Sequence, residues 1–233
     1  MTQLIEARAG RVTPAMREVA QNEGISPEAV RDGVAAGAIV IPYNKNRKAT
    51  RAIGVGRGLN VRVNANVGTS PDYHDVDHEL AKIEAAVSAG ADSVMDLSTG
   101  GDLRAIRRTL MGACPVMMGT VPIYQVFWQA RQDEVAPVNV DAEAFLDVVR
   151  DHAESGIDFV TVHCGVNREM LAQFEASRRT CGVVSRGGTF TLHWMKSTGQ
   201  ENPFYERFDE MIEMCRARHV TLRLGDGLPP AAL

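Results

Sequence analysis

The chain has 233 residues, of which 45% are hydrophobic and 23% charged, and its formal net charge is −4. These ordinary values exclude a disordered chain, a fibre and a disulfide scaffold, and the mild negative charge gives no electrostatic reason to bind nucleic acid or an anionic membrane. No CxxC pair occurs among Cys114, Cys164, Cys181 and Cys215, which argues against a zinc ribbon and favours free thiols in a reducing compartment. With no apolar run of about 18 residues and no signal-peptide pattern, we expect a cytoplasmic protein.

The first part of the chain has the sequence pattern of short helices. Thr13-Pro14 and Ser26-Pro27 each place a capping hydroxyl just before a proline, a pattern typical of helix starts. The apolar run 38–42 then predicts a strand, and the basic, glycine-rich stretch 44–58 predicts a loop or hairpin. We therefore expect residues 1–59 to form a helical N-terminal segment.

From residue 60 onward, apolar runs alternate with helical patterns. The predicted strands are 60–66, 93–97, 115–124, 158–163, 180–185 and 220–224, and the predicted helices are 74–91, 102–111, 141–155 and 202–218. Such alternation is typical of a parallel sheet with helices outside it.

Each predicted strand ends in polar residues or glycines. In a (β/α) barrel all such ends form the active-site face, whereas in an open doubly wound sheet only those at the switch point line a crevice. Polar ends on every strand favour the barrel, but a closed barrel needs about eight strands. The sequence therefore predicts an α/β fold in which residues 60–233 form an incomplete (β/α)8 TIM-type barrel of about six β/α units.

The segment Ser185-Arg186-Gly187-Gly188 is the first candidate site. Successive backbone N–H groups in a glycine turn bind anions, and a fixed arginine adds a fork for phosphate or carboxylate. The alternative is a plain strand-to-helix turn with a solvated arginine.

Other strand ends offer polar side chains with two interpretations each. The amide of Asn66 has a donor and an acceptor for hydrogen bonds to a heterocycle or a ribose. The alternative is that Asn66 simply caps the end of a strand. The carboxylates of Asp96 and Asp226 suit hydrogen bonds to ribose hydroxyls or to a protonated base. The alternative is that each caps the start of a helix. His163 suits a hydrogen-bond donor or general acid/base, although a histidine that ends a strand is more often structural.

Two histidines four residues apart, His74 and His78, have the spacing of a metal pair on a helix. No third ligand is identifiable in the sequence, and the acidic residues between them suit the first turn of a helix, so we favour the second interpretation.

Together these segments resemble the ThiC family of thiamine pyrimidine synthases, in the family's order and over essentially the whole chain. The matching motifs are Val-Asn-Ala-Asn-Val-Gly at 63–68, Val-Met-Asp-Leu-Ser-Thr-Gly at 94–100, Gly-Thr-Val-Pro-Ile-Tyr at 119–124, Thr-Val-His-Cys-Gly-Val at 161–166, Ser-Arg-Gly-Gly at 185–188 and Leu-Gly-Asp-Gly-Leu at 224–228.

The resemblance implies a radical S-adenosylmethionine enzyme. In this family a [4Fe–4S] cluster cleaves S-adenosylmethionine, and the resulting radical rearranges 5-aminoimidazole ribonucleotide to 4-amino-5-hydroxymethyl-2-methylpyrimidine phosphate, a thiamine precursor. We also expect a homodimer that binds neither nucleic acid nor membrane. The positions that match the family's substrate contacts are Asn66, Met95, Tyr124, His163, Ser185, Arg186, Gly187, Asp226, Gly227 and Leu228.

Two departures from the family pattern qualify what the resemblance implies. The family's cluster cysteines, a further substrate glutamate and two histidines for a divalent metal such as zinc lie beyond the matched part, so we expect this chain alone to be inactive. In addition, Pro229 stands where the family usually has arginine. Two alternatives therefore stay open: the paralogue 5-hydroxybenzimidazole synthase, which uses the same ribonucleotide for cobamide synthesis, and a non-catalytic nucleotide-binding fragment.

Overall fold

The computed structural model describes residues 1–47, 50–177 and 179–230. Its N-terminal part contains the elements α1 Gln3–Arg8, α2 Pro14–Glu23, α3 Pro27–Ala35, β1 Ile39–Val40 and β2 Val55–Gly56. The predicted caps are confirmed, because the hydroxyls of Thr13 and Ser26 accept hydrogen bonds from backbone N–H groups in the first turns of α2 and α3. Strands β1 and β2 pair antiparallel, as a hairpin requires, although residues 48 and 49 between them lie outside the described part.

The rest of the chain builds a parallel sheet of five strands in sequential order. These are β3 Asn64–Val67, β4 Ser93–Asp96, β5 Met117–Thr120, β6 Phe159–Val162 and β7 Thr221–Leu224. The helices are α4 Val76–Ser88, α5 Leu103–Ala113, α6 Pro122–Gln132, α7 Ala142–Ser155, α8 Arg168–Ala176, α9 Arg186–Thr198, α10 Pro203–Glu206 and α11 Phe208–Arg218. Because helices alternate with the parallel strands, the predicted α/β architecture is confirmed, whereas the described residues form no closed TIM-type barrel.

The predicted strand at 180–185 is wrong. Cys181, Gly182 and Val184 are exposed, the run pairs with no described strand of the sheet, and Ser185 instead caps helix α9. Strand β6 pairs directly with β7, with Val162 opposite Leu224. Within the described residues the sheet therefore has five strands rather than six, it is open, and β3 and β7 are its edges.

The other differences concern where elements end. The run 115–124 forms a strand only to Thr120, because Pro122 starts α6 and places Tyr124 in a helix. The predicted helix 202–218 is divided at Arg207 into α10 and α11, and the sequence patterns do not predict α6, α8 or α9.

Among the described residues, no helix has the length and apolar character that crossing a bilayer requires.

The main core lies between the sheet and its helices. Val94, Met118 and Val160 stand in neighbouring strands and are fully buried, as are Leu110 of α5 and Phe145 of α7. A separate apolar cluster fills the N-terminal segment. The division of the chain into an N-terminal segment, 1–59, and a second part, 60–233, stays a prediction.

A buried polar cluster attaches the N-terminal segment to the amino end of the sheet. The Asp158 carboxylate accepts hydrogen bonds from the backbone N–H groups of Asn44 (3.1 Å) and Met118 (2.8 Å). The Arg47 guanidinium lies 3.5 Å from the same carboxylate and donates to the carbonyl oxygen of Cys114 at 2.7 Å. Since both charged side chains are almost entirely buried, each depends on the other for charge compensation.

Candidate functional site

The imidazole of His163 lies at the carboxyl end of the sheet, after strand β6 and next to the edge strand β7. His163 follows β6 and is only 6% exposed. A Cβ atom built on Gly187 would overlap the imidazole, and one built on Gly225 would lie 3.1 Å from Nε2, so the ring is held between the start of α9 and the end of β7. Its Nδ1 atom is buried and has no hydrogen-bond partner among the described residues. A buried ring nitrogen without a partner is uncommon in folded proteins, and it marks His163 as a candidate for a ligand contact.

The start of helix α9 forms one wall beside this histidine. Ser185 caps the helix, with its hydroxyl accepting a hydrogen bond from the Gly188 N–H at 3.1 Å, and Arg186 is the first helical residue. A Cβ on Gly188 would overlap the carbonyl oxygen of Gly227, so the two backbones meet directly. The predicted turn therefore places a helix N-terminus, through Gly187, against His163 and carries the Arg186 cation on the same first turn, and both features favour anions.

Tyr124 and Arg186 come together from two different helices. The guanidinium carbon of Arg186 lies 5.3 Å from the centroid of the Tyr124 ring. Both residues line a groove of about 860 Å³, which also contains the aromatic side chains of Phe127, Trp128 and Phe190. Burial raises the pKa of the Tyr124 phenol, and the Arg186 cation opposes this shift, so the phenol is neutral near pH 7.

The segment after β7 completes the same side. The carboxylate of Asp226 accepts the backbone N–H of Leu228 at 3.0 Å, and Gly227 contacts the start of α9 as described. Burial lowers the pKa of His163, while the charge of Asp226 acts in the opposite direction. The imidazole is therefore neutral near pH 7 and can donate at one nitrogen and accept at the other.

Asn66 and Met95 lie on the other side of the sheet end. They stand opposite each other on β3 and β4, and the amide oxygen of Asn66 accepts a hydrogen bond from Asn64 at 2.8 Å. Their strands are three and two positions from β6 in the sheet order, so they lie across the sheet end rather than beside His163.

Asp96 and the helix residues near it form a buried polar network. The Asp96 carboxylate accepts hydrogen bonds from the N–H and hydroxyl of Ser98, and burial raises its pKa. It borders a small cavity together with Arg107, Gln125 and His152, so it faces α5, α6 and α7. No sequence pattern singles out Arg107 or Gln125, and of the residues around this cavity only Asp96 stands out in the sequence as a candidate site residue.

The exposed histidines His74 and His78 lie on either side of the residue that caps helix α4. The carboxylate of Asp75 caps helix α4 by accepting the N–H groups of Asp77 and His78, and the imidazole of His78 is 3.1 Å from the hydroxyl of Tyr73. The interpretation of this segment as the first turn of a helix is confirmed.

The buried state of His152 predicts a pH dependence of stability. Burial, supported by the Arg107 cation and opposed by Asp151, lowers the pKa of His152 well below its ordinary value. The unfolded chain binds this proton below about pH 6.5 and the folded chain does not, so stability that is present above this pH is lost as pH falls toward the folded-state pKa. We expect a loss of at most about 1.4 kcal/mol per pH unit from this group.

Urea unfolding at several pH values below neutrality tests this expectation. The His152→Gln variant should show a shallower pH dependence than the wild type, although not a flat one, because burial also lowers the pKa of His163. The exposed His74→Gln variant serves as the control. Equal slopes in His152→Gln and wild type would contradict the prediction.

The described cysteines do not fit an iron–sulfur cluster. Cys114, Cys164 and Cys215 are buried, and burial raises the pKa of each thiol, to about 12 for Cys215. A cluster requires thiolates that lie together. No group of three or more histidine, cysteine, aspartate or glutamate side chains in the described ranges could hold a metal ion.

The sequence comparisons with known proteins agree with one another. The sequence profile of the family described as the radical SAM ThiC family matches residues 2–233. The chain is 49% identical over 234 residues to a phosphomethylpyrimidine synthase of Thermus thermophilus, covering 100% of this chain and 54% of that protein. It is 46% identical over 233 residues to the phosphomethylpyrimidine synthase of Desulforamulus reducens, with the same coverage of 100% and 54%.

The chain thus spans about half the length of the curated relatives it matches. Among solved structures, a dihydropteroate synthase from Coxiella burnetii in complex with pteroic acid shares 14% identity and a TM-score of 0.33, covering 75% of this chain and 65% of that one. A likeness this distant supports no conclusion about fold or function.

Proposed function

The chain belongs to the radical SAM ThiC family, and on this premise we propose that it forms the substrate-binding part of a phosphomethylpyrimidine synthase. The proposed substrate is 5-aminoimidazole ribonucleotide, and the product is 4-amino-5-hydroxymethyl-2-methylpyrimidine phosphate for thiamine biosynthesis. The observation that carries the proposal is the buried, unpartnered Nδ1 of His163 beside the glycine-rich start of α9. A phosphorylated heterocycle can use both features at once.

In this proposal the chain binds and orients the ribonucleotide. The N–H groups of residues 185–187 and the Arg186 guanidinium hold the phosphate, since both favour a dianion at a helix start. His163 forms a hydrogen bond to the ribose or the imidazole, and Tyr124 forms an apolar wall.

The remaining proposed contacts surround the ligand from other strands. Asp226, Gly227 and Leu228 close the side at β7. Asn66 and Met95 close the side at β3 and β4. This arrangement positions the ribonucleotide and shields it from water, which is the contribution a protein makes to cofactor chemistry.

The cofactors of the family are a [4Fe–4S] cluster and S-adenosylmethionine, which supply the radical. Because the described cysteines do not fit a cluster, we assign no step of the reaction to them and propose that this chain alone is inactive. We likewise assign no step to a divalent metal such as zinc, because the described residues provide no group of ligands for it.

The Arg186→Ala variant tests the phosphate site. We expect its affinity for 5-aminoimidazole ribonucleotide to fall about 10- to 100-fold, because a charge-assisted hydrogen bond is lost. Binding of the dephosphorylated nucleoside should change little. Isothermal titration calorimetry with both ligands measures the difference.

A matched control is available on the outer surface. The Arg108→Ala variant removes an exposed arginine from α5 and should bind both ligands like the wild type. Equal losses for nucleotide and nucleoside in Arg186→Ala would overturn the assignment of Arg186 to the phosphate. A wild-type chain that binds neither ligand would overturn the proposed function.

Pro229 favours a second candidate product. The family's usual arginine is absent here, which fits the paralogue 5-hydroxybenzimidazole synthase. Both candidates use the same ribonucleotide, so product identification by mass spectrometry, with the cluster-bearing part of a relative supplied in trans, distinguishes them. We further propose that the protein acts as a homodimer, which analytical ultracentrifugation tests.

A further inference from the structure

The first turn of helix α6 carries Tyr124 but lacks its own cap. The helix starts at Pro122, and the preceding Val121 makes no side-chain hydrogen bond to its free N–H groups. Helix starts are usually fixed by such caps. Proline at the first position and the burial of Ile123 stabilise this turn, and a side-chain contact from outside the cap adds to them.

Gln125, the residue after Tyr124, provides that contact. Its side chain is buried, and its Oε1 accepts a hydrogen bond from Nη1 of Arg107 at 2.7 Å. Its Nε2 donates to the carboxylate of Asp151 at 3.1 Å, and Oε1 also lies 2.9 Å from Nε2 of His152. Gln125 is thus fixed to α5 and α7 simultaneously.

The roles of donor and acceptor in this network follow from Asp151. Because a carboxylate only accepts, the NH2 group of Gln125 must face Asp151 and its oxygen must face His152. His152 therefore donates from Nε2, and its Nδ1 accepts the hydroxyl of Thr120, 2.7 Å away. Burial lowers the pKa of His152, which keeps the ring in this neutral tautomer.

The network therefore holds the chain on both sides of Tyr124. Thr120 is the last residue of β5 and Gln125 lies in the first turn of α6, so the four residues between them are held at both ends. The Arg107–Asp151 ion pair has a direct contact of 2.7 Å that does not need Gln125. The hydrogen bonds of Gln125 therefore fix the position of α6, and they are not needed to compensate the charge of Arg107.

We propose that Gln125 is a positioning residue that, through Arg107, Asp151 and His152, sets the ring of Tyr124 against Arg186 at the candidate site. The contribution of Tyr124 to ligand binding rests on the proposed function. The placement of its ring does not, and it can be measured without ligand.

The test uses two nearly isosteric variants, Gln125→Met and Thr120→Val. The chain has four tyrosines, so labelling with tyrosine enriched in carbon-13 at Cζ gives few signals, and Tyr124→Phe identifies that of Tyr124. In both variants we expect the Tyr124 signal to shift or broaden while the other tyrosines stay unchanged. The affinity for 5-aminoimidazole ribonucleotide should fall about tenfold.

The matched control is Ser155→Ala. It removes the hydrogen bond between Nε of Arg107 and the hydroxyl of Ser155 (3.2 Å), at the end of the network away from Gln125. This variant should alter neither the Tyr124 signal nor the affinity. A role limited to stability predicts instead that all three variants lower the unfolding midpoint and leave Tyr124 in place.

An unchanged Tyr124 signal in folded Gln125→Met and Thr120→Val would overturn the proposal. Should Gln125→Met fail to fold, Thr120→Val decides by itself. If the wild type does not bind the ribonucleotide, the proposed function fails, and the ligand-free Tyr124 signals still decide whether Gln125 positions the ring.

Discussion

Replacing Asp158 with alanine is expected to lower the free energy of unfolding by about 3–5 kcal/mol, since it leaves a buried arginine without its counter-charge. The Arg47 side chain is 3% exposed and cannot reach water without moving the loop that carries it. The substitution also removes the acceptor for the backbone N–H groups of Asn44 and Met118. Guanidinium chloride unfolding followed by circular dichroism measures the loss.

The matched control for this prediction is Asp147→Ala. Asp147 pairs with Arg150 on the exposed face of α7, so both variants remove an aspartate from an arginine pair. An exposed pair contributes less than about 1 kcal/mol, so Asp147→Ala should be nearly neutral. If the two variants lost similar stability, the buried cluster would not be what joins the N-terminal segment to the sheet.

Much of the fold could be predicted because its signals are local. The apolar spacing of Phe145, Val148 and Val149 predicts the helix that the structure shows as Ala142–Ser155. The strand error at 180–185 has a non-local cause. An apolar run becomes a strand only if a neighbour pairs with it, and β7, which comes about forty residues later in sequence, occupies that place beside β6.

The candidate site could be predicted in part. Strand ends of a parallel sheet meet at one edge, so grouping Tyr124, His163 and Arg186 at that edge was within reach of the sequence. The placement of Tyr124 in a helix was missed, although Pro122, a residue typical of the first position of a helix, was a readable signal for it. The polar network around Gln125 was out of reach, since its members come from three helices and the strand β5 and share no spacing.

Replacing Gly188 with alanine should reduce affinity for the proposed substrate, 5-aminoimidazole ribonucleotide, by about 100-fold, because a misplacement of about 1 Å at a site has an effect of this size. A Cβ at this position would overlap the carbonyl oxygen of Gly227. Both partners are backbone, so no side-chain rotation relieves the overlap, and the start of α9 must move away from β7. Such a movement separates Arg186 from residues 226–228 on the other side of the site.

The same segment supplies the control for this prediction, Gly182→Ala. A Cβ on Gly182 would meet no atom within 4 Å, so this variant should fold and bind like the wild type. Calorimetric titration gives the affinities, and thermal unfolding shows whether Gly188→Ala remains folded. A folded Gly188→Ala variant with wild-type affinity would mean that ligand binding does not require the close approach of α9 and β7. The phosphate would then have to bind elsewhere, because the start of α9 cannot stay in place once that approach is blocked.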